Sequence, residues 1–232
     1  MAANGTQAGH AHALLRRAIV RCELLPGQRI SEQAVAARYG FGRAATRAAL
    51  ARLDQEGLVV RVPRQGTVVA PVTMRDVHEL FQTRRLLEPA AMAEAAGAHD
   101  VERLVPLEAA CRQARFAPGD RDGAEVFLAA NTRFHVAVVE LTGNRRLAKL
   151  VEGLLVDLER MFQLGLQLRD RNDEMYHEHH ELLAALRAGD RDRTRTVATA
   201  QIDAAQQMVT DALLASPELL GTNVAPLGEV GA

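Results

Sequence analysis

Residues 26–69 read PGQRISEQAVAARYGFGRAATRAALARLDQEGLVVRVPRQGTVV, and this stretch decides the architecture. Ser31 is a good helix N-cap, because its hydroxyl can accept a backbone N–H that the first turn leaves unpaired, and Tyr39-Gly40 is a natural stop. A second helix starts at Gly42 or Arg43 and closes at Glu56-Gly57. Leu58 to Val62 and Thr67 to Ala70 are short β-rich runs separated by Pro63, Arg64, Gln65 and Gly66, a turn signal. Helix, tight turn, helix and two-stranded hairpin, in that order, predict a winged helix-turn-helix.

Working outward, a helix is expected upstream from about His10 to Leu24, stopped by the Pro26-Gly27 turn, with the first nine residues disordered. Downstream, Pro71-Val72 reads as a linker. From Thr73 the period is helical almost throughout, and Thr73 with Asp76 resembles a capping box. Helices are expected over 73–97, 100–115, 122–142, 144–168, 172–188 and 190–215, with breaks at Pro118-Gly119, Gly143-Asn144, the charged run 169–173 and Gly189-Asp190. The fold class is mainly α: a winged helix-turn-helix over 1–72, an all-helical bundle over 73–215, and a Gly/Pro-rich loose tail over 216–232.

Composition agrees. The 232 residues are 48% hydrophobic and 25% charged, enough to bury one large core or two modest ones, and only 3% aromatic, which favours helices over sheets. No apolar run reaches the roughly 20 residues needed to span a bilayer. The N-terminus lacks the charged and apolar regions of a signal peptide. Cys22 and Cys111 give neither a disulfide framework nor a zinc-knuckle spacing, so the cytoplasm is the expected compartment.

The net charge of -1 hides an asymmetry. Residues 1–72 hold ten Arg and four acids, while the remainder holds 18 basic and 25 acidic residues. A basic head on an acidic body suits a molecule in which one part meets phosphate and the other does not. In a helix-turn-helix the second helix enters the major groove of DNA, N-terminal residues first. Here that segment is Gly42 to Arg47, and Arg43 and Arg47, four apart, project from one face. Arginine there can take guanine O6 and N7 together. Ala45, Ala49 and Leu53 share another face and suit packing, whereas Arg61 and Arg64 flank Gly66 in the turn of the hairpin.

With those residues in view, PGQRISEQAVAARYGFGRAATRAALARLDQEGLV followed by PRQGTVVA resembles the N-terminal domain of GntR-type bacterial transcription regulators. The all-helical remainder resembles the FCD ligand domain of the FadR-like subfamily. The resemblance implies a dimer on palindromic double-stranded DNA. It makes Arg43, Ala44, Thr46 and Arg47 on the recognition helix, Gln33 and Arg38 on the helix before it, and Arg64 and Gly66 in the wing the candidate DNA contacts. Two residues depart from the pattern. Gly42 stands where a Ser or Thr usually caps the recognition helix, and Gln33 where an Arg contacting the DNA backbone is common.

The bundle carries a second signal that needs no family. Arg84 falls in the stripe Val77, Leu80, Phe81, Leu87, Ala91; Asn131 and His135 fall among Phe127, Phe134 and Val138. His179 lies among Met175, Leu182, Leu183 and Leu186, and Gln201 among Val197, Ala204, Ala205 and Met208. Four helices thus place polar groups on faces that should be buried. Buried polar groups need partners, so convergence of the four predicts a polar-centred cavity for a small molecule. The alternative is a self-satisfied network, with Arg84 paired to Glu88 one turn on and His135 bonded to Asn131.

Metal-binding FCD domains carry Asp-x-x-x-His on one helix and two further histidines on the last two. Here those positions hold Asn131 and His135, then His179 (with His180 as the slipped alternative), then Gln201. Amide oxygens are poor ligands for zinc or nickel, and the lost carboxylate removes a charge that would offset the dication. The expectation is weak divalent metal binding at His135 and His179, or none. By the resemblance, Arg84 receives the carboxylate of a small organic acid, with Asn131, His135, His179 and Gln201 around it. An enzyme is not expected. Glu174-x-x-His177 has di-iron spacing but no second copy, and no nucleophile elbow, P-loop or dinucleotide fingerprint appears.

Overall fold

A computed structural model describes residues 2–64, 66–168 and 171–215, with side chains from Gln7 onward. The expectation for the tail, 216–232, lies outside these residues. Two compact units emerge, Met1–Thr73 and Met74–Ala215, taken separately below.

The first unit holds α1 (Ala2–Val20), β1 (Arg29–Ile30), α2 (Glu32–Tyr39), α3 (Arg43–Gln55), β2 (Val59–Val62) and β3 (Gly66–Val69). The caps act as the sequence promised. Ser31 Oγ accepts from the backbone N–H of Ala34 at 3.3 Å, and Gly40 closes α2 in the left-handed region at φ 72°. α3 packs against α1 and α2, burying Leu15, Ile19, Val35, Ala49, Leu50 and Leu53 with Val59 and Val69 of the hairpin. β3 lies between β1 and β2, both antiparallel to it.

Three expectations for this unit need correction. α1 begins at Ala2, so residues 2–9 are helical, and it ends at Val20 rather than Leu24. Cys22 at φ 56° turns the chain out of the helix. β1 was not foreseen, since two residues carry no period; its register, Arg29 opposite Val68 and Ile30 opposite Thr67, makes the hairpin a three-stranded sheet.

The second unit is all helix: α4 (Met74–Glu94), a 3₁₀ turn (Val101–Leu104), α5 (Val105–Gln113), α6 (Arg121–Glu140), α7 (Arg145–Leu166), α8 (Asn172–Ala188) and α9 (Arg191–Ala215). α4 stops at Glu94, before the expected Gly97, and accommodates Pro89, whose missing N–H removes one bond from its ladder. The expected helix over 100–115 is instead the 3₁₀ turn followed by α5. Asp120 and Asn144 cap α6 and α7 through the N–H groups of Gly123 and Leu147, and Gly189 ends α8 at φ 68°. α9 packs along α4, α7 and α8, and α6 lies along α7. Phe81, Phe134, Leu155, Leu158, Leu182 and Leu186 are fully buried. At the sequence level each of these helices is amphipathic, and the bundle is what buries the apolar stripes.

Candidate nucleic-acid interface and effector cavity

In the first unit α3 divides its surface by periodicity. Ala45, Thr46, Ala49, Leu50 and Leu53 are buried, while Arg43, Ala44 and Arg47 are exposed. Gln33 and Arg38 on α2 and Arg64 and Gly66 in the wing are exposed as well. Thr46 corrects the expected contact set. It is 0% exposed, and its hydroxyl donates to the Gly42 carbonyl at 3.2 Å, so its side chain tightens the start of α3 and meets nothing outside. Gly42 itself offers no side-chain cap. Arg64 and Gly66 both adopt positive φ, 65° and 82°, which turns the wing sharply; at Gly66 that conformation suits the absence of a Cβ.

An open groove of about 520 Å³ runs between α3 and the wing, bordered by Arg47, Arg61, Gly66 and Thr67 and by the carboxylates of Glu32 and Asp54. Arg47 Nε and Nη2 both donate to Glu32 Oε2 at 3.3 Å, and Arg61 Nε lies 3.9 Å from Asp54 Oδ2. These pairs are solvent-exposed, so each contributes little to folding. Glu32 and Asp54 were absent from the expected set.

In the second unit the polar residues on the four stripes converge. Arg84 of α4, Asn131 and His135 of α6, His179 of α8 and Gln201 of α9 border one cavity of about 40 Å³, walled by Phe127, Leu128, Phe162, Leu166, Met175 and Met208. His180 is exposed, so His179 is the histidine that faces inward. Arg84 sits against the rings of Phe81 and Phe162, its Cζ 5.5 and 5.8 Å from their centroids. Its Nε and Nη2 donate to Glu88 Oε1 and Oε2 at 2.5 and 3.0 Å. Arg84 is therefore not an open fork for a ligand: the intrahelical partner takes one edge, and Nη1 alone is left without a hydrogen bond.

His135 Nδ1 lies 3.9 Å from Glu88 Oε2 and has no hydrogen-bond partner, so the expected alternative in which His135 and Asn131 satisfy each other does not account for that nitrogen. Burial, with the Arg84 charge nearby, holds the His135 imidazole down at about 3, and burial with His135 beside it lowers His179 well below the ordinary histidine range. The rings stand edge to face with centroids 5.3 Å apart, and both are neutral at physiological pH. Gln201 Nε2 donates to the Glu178 carbonyl at 2.5 Å, and Gln201 Oε1 is buried and unpaired.

The stripes did not reveal Arg171 and Glu178, which also border the cavity. Arg171 is 4% exposed and donates to Glu174 Oε2 at 2.7 Å and Glu178 Oε1 at 2.5 Å. Burial raises the Glu178 carboxyl even against that arginine. Positions 171, 174 and 178 are spaced to share one helical face, a readable spacing inside and just after a charged run that also reads as a break.

Comparison with known proteins decides the identity of both units. The family model described as bacterial regulatory proteins, gntR family, matches residues 7–69, and that of the FCD domain matches residues 79–204. The chain belongs to the GntR family. It is a DNA-binding transcriptional regulator with an FCD domain, and not an enzyme. It is 24% identical over 198 residues to the HTH-type transcriptional repressor RspR of Escherichia coli K12, covering 85% of this chain and 86% of that one. It is 29% identical over 138 residues to the HTH-type regulator YdhC of Bacillus subtilis, covering 60% of this chain and 62% of that relative. A solved GntR regulator from Rhodococcus sp. RHA1 shares the fold with a TM-score of 0.68 at 22% identity, covering 89% of this chain and 99% of that one. No helix among the described residues is long and apolar enough to cross a membrane.

Proposed function

We propose that this GntR-family regulator is a ligand-responsive repressor that binds a palindromic operator as a homodimer and releases it when a small organic acid occupies the cavity of the helical unit. The observation that carries the reading is the meeting of Arg84, Asn131, His135, His179 and Gln201 from four helices at one cavity. Arg84 Nη1, His135 Nδ1 and Gln201 Oε1 are buried there without partners. Buried polar atoms are nearly always paired, so three orphans around one space mark a place that a ligand completes. A carboxylate accepts end-on from Arg84 Nη1, with the Glu88 pair left in place. The cavity admits only a few water-sized groups at 40 Å³, so an organic acid enters by moving Met175 and Met208, the most adaptable of its walls. The repressor role is supported by the likeness to the repressor RspR.

Coupling follows the chain. Arg84 and Glu88 lie on α4, which starts at Met74, directly after the short 70–73 connection from β3. A ligand that repacks α4 biases the spacing of two recognition helices, which must match half-sites about 34–36 Å apart. A differential affinity of about 1–3 kcal/mol is the usual size of such coupling.

The residues do not suit zinc or nickel. Two neutral imidazoles and two amides carry no charge to offset a dication, and the nearest carboxylate, Glu88, is committed to Arg84. Among the described residues no three His, Cys, Asp or Glu side chains are grouped to hold a metal ion. Elemental analysis after chelator-free purification is expected to find substoichiometric metal. Stoichiometric metal would overturn this assignment. For the effector site the test is Gln201→Leu with Asn131→Leu: operator binding is retained and release by organic acids is lost. Release unchanged in both variants contradicts the proposed site.

A further inference from the structure

Glu32 opens α2 and Arg47 projects from α3, yet both border the groove between the recognition helix and the wing. Arg47 reaches Glu32 Oε2 with Nε and Nη2 together, each at 3.3 Å. That contact uses the side edge of the guanidinium. It leaves the end edge free, namely Nη1 and the second proton of Nη2, which is the pair that matches O6 and N7 of a guanine. The carboxylate therefore limits the plane and direction of the fork before DNA arrives. Glu32 Oε1 accepts no hydrogen bond among the described residues and is available to a donor in the groove. Two base groups offer amino donors in the major groove, N4 of cytosine and N6 of adenine. The N7 acceptor beside adenine N6 repels a carboxylate, as do the acceptors of guanine and thymine and the phosphates, so the cytosine amino group is the better partner.

We propose that Glu32 is a specificity-determining residue: it positions Arg47 on a guanine and takes a cytosine amino group of a neighbouring base pair with its free oxygen. The inference rests on the family's DNA-binding function. Fold stability does not explain the pair, because the side chains are 70% and 42% exposed, a setting in which ion pairs contribute little. A carboxylate beside the recognition arginine also opposes indiscriminate phosphate binding, so Glu32 exchanges general affinity for selectivity.

The test uses the full-length chain. An operator is selected from a random-sequence duplex pool, and fluorescence anisotropy then compares it with duplexes in which each G·C pair of the half-site is replaced in turn. Wild type, Glu32→Ala, Glu32→Gln and Arg47→Ala are measured, with melting temperatures to confirm folding. The expected result is a preference of tenfold or more at one G·C pair in the wild type, lost in Arg47→Ala and in Glu32→Ala at that pair and its neighbour. Glu32→Ala also binds random duplex several-fold more tightly than wild type, and Glu32→Gln keeps the fold while losing the cytosine preference. The proposal is overturned if Glu32→Ala discriminates as wild type does, or if it weakens all duplexes equally, as damage to α2 would. It falls with its premise if the wild-type chain selects no sequence.

Discussion

Two arginine–glutamate pairs in this chain have the same chemistry and opposite settings. Arg47 and Glu32 meet at 3.3 Å on the open face of the head, with side chains 70% and 42% exposed. Arg84 and Glu88 meet at 2.5 Å inside the helical unit, with side chains 4% and 1% exposed. In water the first pair contributes little to folding, and its contact through the side edge of Arg47 leaves the end edge of the guanidinium open in the groove. In the core the second cannot separate without leaving a buried charge, so it holds Arg84 as a fixed element of the cavity wall. The difference lies in burial, not in residue type.

The largest effect is expected at Glu88. Glu88→Ala leaves the Arg84 guanidinium buried without its counter-ion and is expected to destabilise the chain by about 3–5 kcal/mol in chemical denaturation, whereas Glu32→Ala costs under about 1 kcal/mol. Equal losses in the two variants would remove the distinction.

Protonation probes the same interior. The folded state keeps His135 neutral down to about 3, while the unfolded chain protonates it through the ordinary range near 6.5. The unfolded state therefore binds more protons between those values, so stability is full above about pH 7 and is lost as pH falls. From pH 7 to pH 5 this histidine alone accounts for a loss of about 2 kcal/mol. His135→Leu should flatten the profile, and a variant that titrates as the wild type does would show that His135 is not the group responsible.

On the exposed side, effects fall on recognition. Arg47→Ala should cost about 1–3 kcal/mol of discrimination at one base pair, with stability unchanged within about 0.5 kcal/mol. Smallest of all, Arg64→Ala in the wing should weaken binding to every sequence alike and lower the salt slope of log affinity by about one. A sequence-dependent effect at Arg64 would move it from phosphate contact to base reading.

Much of this was legible because the signals are local. Ser31, Gly40, Asn144 and Gly189 state where helices begin and end, and the period of the apolar residues gave all four stripes that meet at the cavity. The burial of Thr46 is legible too: with Ala49, Leu50 and Leu53 it forms one helical face, and only the family resemblance points it at DNA. The two-residue β1 was not, since its pairing with β3 is set by tertiary structure. Arg171 was not recognised either, because its burial depends on how the start of α8 meets the cavity.

The proposed coupling makes the head obey the cavity. Operator affinity of the full-length chain, measured by anisotropy while small mono-, di- and tricarboxylic acids are titrated one at a time, tests it most directly. At least one acid is expected to raise the melting temperature and weaken operator binding about 5- to 150-fold, an effect absent in Gln201→Leu. An acid that raises the melting temperature through the cavity while leaving operator affinity unchanged would contradict it.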